Sequence, residues 1–227
     1  MVNIVNDPNS DYHIHSILSD GWSTIEEIVQ FAWKLGMENI AITDHSDYLT
    51  KILQELYWIC PCGGGRSKLK HRKNIHNNVN VIFWVEWDVI NEDGDVCMTI
   101  QNIEWDFTIL SLHLDWYKSK PETATKWLLN AIERYHDKID LIGHLHDSKQ
   151  LWEFLDIRPV VELANKYWIG IEFNYWTFKK RSIKEHLDYI LKNAKSVYVN
   201  SDAHILSDLQ IKRKDCYDYL RELWLWK

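Results

Sequence analysis

What constrains this chain most is a unit that repeats along it. A short β-branched or apolar run ends in a cluster of histidine and carboxylate, and a helical stretch follows. Asp11–His15 is the first such run. It precedes Thr24–Leu35, where Ile25, Ile28, Val29, Ala32 and Leu35 recur at helical spacing. Ser23 or Thr24 can cap that helix, Glu26 and Glu27 suit its first turn, and Gly36 closes it as the residue past the C-terminus. Asn39–Thr43 then reads as a buried strand. Later strands are predicted at 79–85, 107–112, 139–142, 169–173 and 196–199, and helices at 122–136, 159–166 and 182–192. Strands alternating with helices imply parallel βα units. A series of about seven suggests a closed or nearly closed β/α barrel, with its active site at the C-terminal strand ends. A chain of 227 residues suits one such domain, spanning 1–227.

One stretch breaks the pattern. Cys60-Pro61-Cys62-Gly63-Gly64-Gly65 leads into Arg66, Lys68, Lys70, His71, Arg72 and Lys73. Glycine followed by basic residues reads as a loop insertion at 60–78, more often solvated than a polyanion contact. A lone Cys-x-Cys lacks the second pair of a structural zinc site. No apolar run approaches the roughly 18 residues of a membrane span, and Met1–Asp7 has neither a basic head nor an apolar signal core. The expectation is a cytoplasmic protein with reduced thiols and no membrane contact. A net charge of −7 argues against a broad basic face for long nucleic acid, but not against a phosphate held at a cation.

Six of the eleven histidines, His13, His15, His45, His113, His144 and His204, fall at or just past predicted strand ends. His13 and His15 are two apart, so both side chains share one strand face, with Tyr12 and Ile14 on the other. Two such imidazoles can chelate one divalent ion. An isolated His-x-His is more often a pair of satisfied polar residues, and the neighbouring motifs change that weighting. Asp44-His45 ends the second strand, and Asp202-Ala203-His204 follows the last. His113 and His144 end two others, Glu86 follows Val81–Val85, and Asp20 lies in the loop after the first. A barrel would gather these groups at one mouth. Such a cluster is costly to desolvate without metal and becomes a coordination site with two or three divalent cations. Mixed imidazole and carboxylate suits Zn, Mn or Fe better than Ca or Mg. The chain therefore reads as a metal-dependent hydrolase.

The ordered motifs resemble the PHP (polymerase and histidinol phosphatase) superfamily over nearly the whole chain. They run from Asp11-Tyr12-His13-Ile14-His15-Ser16 through Ser19-Asp20-Gly21, Ile42-Thr43-Asp44-His45, Val85-Glu86, Ser111-Leu112-His113 and Ile142-Gly143-His144 to Ser201-Asp202-Ala203-His204. The resemblance implies a distorted (β/α)7 barrel carrying up to three metals. By motif, His13, His15, Glu86 and Asp202 would hold one ion. Glu86 would bridge to a second, held also by His113 and His144, while Asp20, His45 and His204 would hold the third. His13, His15, Glu86, His144 and Asp202 are the residues expected to carry the reaction, with His146 at the rim as a possible proton donor. Arg158, Lys179, Lys180 and Arg181 are candidate phosphate contacts, each more often a surface charge. The implied activity is hydrolysis of a small phosphomonoester, histidinol phosphate or a nucleotide, by a metal-activated water. A 3′–5′ exonuclease or other phosphodiesterase acting on nucleotides or DNA ends is the second reading. A non-catalytic, metal-stabilised binding module is the third.

One departure stands out. That superfamily's glutamate motif reads Gly-hydrophobic-Glu, and here it is Trp84-Val85-Glu86. Trp168 and Trp116 also occupy turn-like places that suit glycine. The chain has 13 Trp and 8 Gly, where average usage of ~7% would give roughly twice as many glycines. Some of these tryptophans are expected to derive from a UGA codon that the source organism reads as glycine. The alternative is an aromatic-rich protein that varies at these sites.

Overall fold

A computed structural model describes residues 3–51, 77–100, 103–104, 108–113, 121–145, 154–179 and 184–226. Most of the 60–78 insertion, together with Trp116, His146, Lys180 and Arg181, lies outside the described residues.

The strands are β1 (Ser10–Ile14), β2 (Asn39–Ile42), β3 (Asn80–Phe83), β4 (Val85–Val89), β5 (Val96–Cys97), β6 (Thr99–Ile100), β7 (Ile103–Glu104), β8 (Thr108–Ser111), β9 (Leu141–Ile142), β10 (Gly170–Phe173) and β11 (Val197–Val199). The helices are α1 (Ile25–Lys34), α2 (Ala124–Tyr135), α3 (Ile157–Tyr167), α4 (Tyr175–Lys179), α5 (Lys184–Asn193) and α6 (Leu206–Glu222). This is an α/β fold with mixed sheets. β1-β2-β3 form a parallel three-stranded sheet, and β11-β10-β9-β8-β4-β5 form a six-stranded one in which only β5 runs antiparallel to its neighbour. β6 and β7 pair separately.

The two larger sheets touch at two places through isolated parallel bridges, His45 with Glu86 and Ile14 with Ala203. Past the first bridge the backbone pairing continues, with Glu86 N donating to Asp44 O at 3.2 Å and Ser46 N to Glu86 O at 3.0 Å. At the second, His15 N donates to Ala203 O at 2.9 Å. On the outer side of β11, Asn6 clamps Val199 with paired side-chain to backbone hydrogen bonds of 2.7 Å.

Local sequence explains most boundaries. Thr24 caps α1 and forms a capping box with Glu27, and Gly36 follows the helix at φ +73°. Ile28, Val29 and Ala32 bury against Ile14, Ile40 and Ile42, while the larger core packs α2, α3, α5 and α6 against the six-stranded sheet. Two expectations needed correction. The single strand at 79–85 is two strands broken at Trp84, because β3 pairs with β2 and β4 pairs with β8. Glu86 therefore sits inside β4 rather than after a strand end. α6, seventeen residues long, was not anticipated. Its surface is crowded with charge, and only Leu209, Lys212, Cys216, Tyr217 and Leu220 turn inward.

Candidate metal centre

The strands deliver their polar ends to one place. His13 and His15 extend from β1, and Thr43 Oγ1 accepts from Ile14 N at 3.0 Å where the β1–β2 register shifts. The loop after β1 is pinned by Asp44. Its Oδ1 accepts from Ser16 N at 2.9 Å and Ser19 Oγ at 2.6 Å, and its Oδ2 accepts from Ser16 Oγ at 2.7 Å. Gly21 is required in that loop, since a Cβ there would lie 2.4 Å from His15 O. Asp20 is thereby held beside His45 and His204.

Five imidazoles close into a ring. Centroids are 5.1 Å apart for His13–His15, 5.4 Å for His13–His144, 5.0 Å for His113–His144, 4.9 Å for His45–His113 and 4.5 Å for His15–His45. The fully buried Glu86 carboxylate sits among them. It lies 2.7 Å from His45 Nδ1 and His144 Nε2, 3.5 Å from the Nε2 atoms of His13 and His15, and 3.6 Å from His113 Nε2. His204 stacks on the outer face of His15, centroid to centroid 4.4 Å. Asp202 Oδ1 is 3.4 Å from His15 Nε2 and 3.6 Å from His13 Nε2. Asp202 adopts φ +49°, a strained setting for a residue with a Cβ, and its carbonyl accepts from Lys212 Nζ at 3.4 Å.

All nine expected residues fall in groups whose donor atoms lie within 4.8 Å of one another. These are His15 with Asp20, His45 and His204; His13 with His15 and Asp202; His13 with Glu86 and His144; and His45 with Glu86 and His113. The expected Asp20, His45 and His204 come together, with His15 added. Glu86 is shared between His144 on one side and His113 on the other.

The electrostatics are those of carboxylates and imidazoles that charge one another in a buried cluster. Against burial, His45, His13, His113 and His144 hold the Glu86 carboxyl well below the usual range. Burial likewise opposes, and His45 and His204 outweigh it, in keeping Asp20 well below its ordinary value; His13 and His204 do the same for Asp202. Against burial, Glu172, Glu86 and Asp202 raise His13 well above its ordinary value, and Glu86 and Asp20 raise His45. His204 is raised to about 9 by Asp20 and Asp202, again against burial. His15 goes down, through burial and the charges of His204 and His45. One central carboxylate cannot satisfy five buried imidazolium ions, and five neutral rings leave lone pairs aimed at one another. Glu86 Oε2 and Asp202 Oδ1 are buried and accept no well-aligned hydrogen bond from any described residue. Oxygen and nitrogen donors left so are what divalent ions require.

A family model described as the PHP domain matches residues 11–167. The chain belongs to the PHP domain family. Similar PHP relatives include a protein of Caldanaerobacter subterraneus subsp. tengcongensis named a probable phosphatase, 30% identical over 209 residues, covering 88% of this chain and 77% of that one. The DNA polymerase/3′-5′ exonuclease PolX of Bacillus subtilis is 30% identical over 211 residues, 86% of this chain but 34% of PolX. A crystal structure from Listeria monocytogenes, assigned as a histidinol phosphatase, shares the fold at a TM-score of 0.59 with 16% identity, covering 91% of this chain and 99% of that one.

Around the PHP centre, sequence reasoning missed two buried carboxylates, Glu172 in β10 and Asp88 in β4. Each lies in a fully buried strand, and its sequence neighbours give no mark of the ring it faces. Two of the candidate phosphate contacts have neighbours of their own. Arg158 lies 5.9 Å over the Tyr189 ring, and Lys179 Nζ is 3.7 Å from Asp215. Cys97 and Cys216 are free, and Cys60 and Cys62 lie outside the described residues. Among the described residues no helix is long and apolar enough to cross a membrane.

Proposed function

We propose that this chain is a metal-dependent phosphoesterase that hydrolyses a small phosphomonoester, of the kind histidinol phosphate or a nucleotide presents. The observation that carries the reading is the closed ring of five imidazoles about the buried Glu86 carboxylate, with Asp202 beside it. Family membership and the relative named a probable phosphatase support it. A distorted seven-stranded β/α barrel is the matching architecture, supported by the two bridges that link the sheets.

His13, His15, Glu86 and Asp202 would hold one ion, and Glu86, His113 and His144 a second. Asp20, His45 and His204 would hold a third, with Zn, Mn or Fe suited to this donor set. When bound, such ions lower the pKa of a water near neutrality and neutralise phosphoryl oxygens. The chain's own residues do the positioning. Glu86 and Asp202 supply the negative charge that keeps cations in a buried site. Asp44 and Gly21 hold the loop that carries Asp20. His204 and Asp20 stand at the more exposed end of the cluster, where a phosphate group would enter. Orientation before reaction is the protein's main contribution to the barrier.

A second reading, a phosphodiesterase acting on nucleotides or DNA ends, is favoured by the match to PolX and opposed by the net charge of −7. A phosphate-release screen over phosphorylated metabolites, with bound metal counted on the same sample, tests the first reading. Release from one or a few small monoesters is expected. Cleavage confined to DNA ends, with salt-sensitive affinity for single strands, would replace it with the second. No hydrolysis of any phosphoester by fully loaded protein would leave a binding module.

A further inference from the structure

His13 and His113 come from different sheets, yet both are gripped from behind in the same way. Glu172 Oε1 accepts from His13 Nδ1 at 2.8 Å and Asn200 Nδ2 at 2.9 Å. Its Oε2 accepts from the His144 backbone N at 2.9 Å and Asn174 Nδ2 at 3.1 Å. Four donors fill that carboxylate, so it has no lone pair to spare for an ion. Asp88 Oδ1 accepts from His113 Nδ1 at 2.7 Å, and its Oδ2 accepts from the Ser46 hydroxyl. An ionised carboxylate can only accept. In the neutral form of each ring the proton therefore sits on Nδ1, and Nε2, 3.5 Å from Glu86 for His13 and 3.6 Å for His113, is the nitrogen left to bind a metal.

We propose that Glu172 and Asp88 are positioning residues that fix His13 and His113 as Nε2 metal ligands. This rests on reading those histidines as ligands, and its test uses no substrate. Glu172→Gln and Asp88→Asn keep size and shape but place an amide where the Nδ1 proton needs an acceptor. Zinc affinity, measured by chelator competition, is expected to fall about 10–100-fold in each variant. Nitrogen-15 NMR of the metal-stripped protein, at a pH high enough to leave the rings neutral, should show His13, or His113, losing its exclusive Nδ1–H form. Melting of the stripped variants reports folding separately, and two variants on different strands guard against one failing to fold. Wild-type zinc affinity in both, or weakened affinity with unchanged tautomers, would overturn the proposal. Absence of phosphatase activity would leave it untouched.

A second inference stands on backbone conformation. Three helices end in the same hydrogen-bonded motif. After α1, Met37 N donates to Ala32 O at 3.0 Å and Gly36 sits at φ +73°. After α3, Ile169 N donates to Ala164 O at 3.0 Å and Trp168 sits at φ +62°. After α6, Leu225 N donates to Leu220 O at 3.0 Å and Trp224 sits at φ +58°. The left-handed residue of this motif is normally glycine, because a Cβ there is strained. Neither indole is repaid by burial: Trp168 is 74% exposed, with Lys195 over its ring, and Trp224 is 93% exposed.

We infer that Trp168 and Trp224 stand at glycine positions and that the source organism inserts glycine there, at UGA codons. Peptide mass mapping of the protein from its native cells is expected to give glycine at both. Tryptophan at both, or UGG codons in the gene, would overturn the inference. In protein carrying the printed sequence, Trp168→Gly and Trp224→Gly should each raise Tm by about 2–4 °C. A fall in Tm would contradict the conformational argument.

Discussion

The two ends of the histidine cluster are built differently. The inner end, His13, Glu86, His113 and His144, is buried to within a few per cent, and two of its rings are gripped by carboxylates. The outer end has Asp20 at 18% and His204 at 32% side-chain exposure. There His204 is oriented through Asp20 Oδ2 at 3.2 Å and the Asp202 carbonyl at 3.1 Å. The difference teaches that one cluster holds two kinds of site. The inner donors are preorganised and desolvated, so an ion there should be tight and slow to leave. The outer donors are wetter, so an ion there should exchange and can meet substrate.

The largest effects should come from breaking the inner end. Glu86→Gln removes the charge shared by five imidazoles and is expected to lower turnover at least ~10³-fold, with loss of more than one bound ion per chain. His13→Ala and Asp202→Ala should likewise abolish measurable phosphate release, and retained activity in both would sink the metal mechanism. His204→Ala should cost less, about 10²-fold, and remove no more than one ion. In a dilute chelator time course, one fast-leaving ion followed by slower ones would sharpen the comparison, whereas a single phase would break it.

Acidity probes both ends together by a different route. In the metal-stripped chain His13, His45 and His204 titrate above their ordinary value, so the folded state holds protons that the unfolded state releases. That stabilisation is complete below ~6.5 and is lost as pH rises through the folded values, about 9 for His204. Asp20, Glu86 and Asp202 titrate low, so their contribution is present above ~4 and fades as the medium becomes more acid. The stripped protein should melt highest between about pH 4 and 6.5 and lose Tm toward pH 9. Metal competes with those protons, so loaded protein should keep its Tm over the upper range. Parallel curves for stripped and loaded protein would contradict this.

The smallest expected effect lies away from the cluster. Thr24→Ala removes the α1 capping box, costs about 1 kcal/mol and lowers Tm by about 2–4 °C. Metal content should not change. A loss of metal would mean that the wall and the centre are coupled.

Much of this was legible in the sequence, and the reason is physical. Strand-end histidines and carboxylates are costly to bury unless they share a purpose, so His13, His15, Asp20, His45, Glu86, His113, His144, Asp202 and His204 stood out by type and place. The helix boundaries around Thr24 and Gly36 followed from capping and backbone freedom. What stayed hidden was partner choice. Nothing local says that β3 and β4 change partners at Trp84, or that Glu86 would lie inside a strand. Glu172 and Asp88 were masked because each is one acid among apolar neighbours, and only three-dimensional pairing reveals the ring behind which each stands. α6 was masked by the charge on its exposed surface.

The central claim is best tested by metal titration of stripped protein, following inorganic phosphate release from histidinol phosphate and a panel of other small phosphomonoesters. Turnover should be absent without metal and appear only as the second equivalent of Zn or Mn binds per chain. Full-rate hydrolysis by the stripped protein, or no hydrolysis at any loading, would contradict the account.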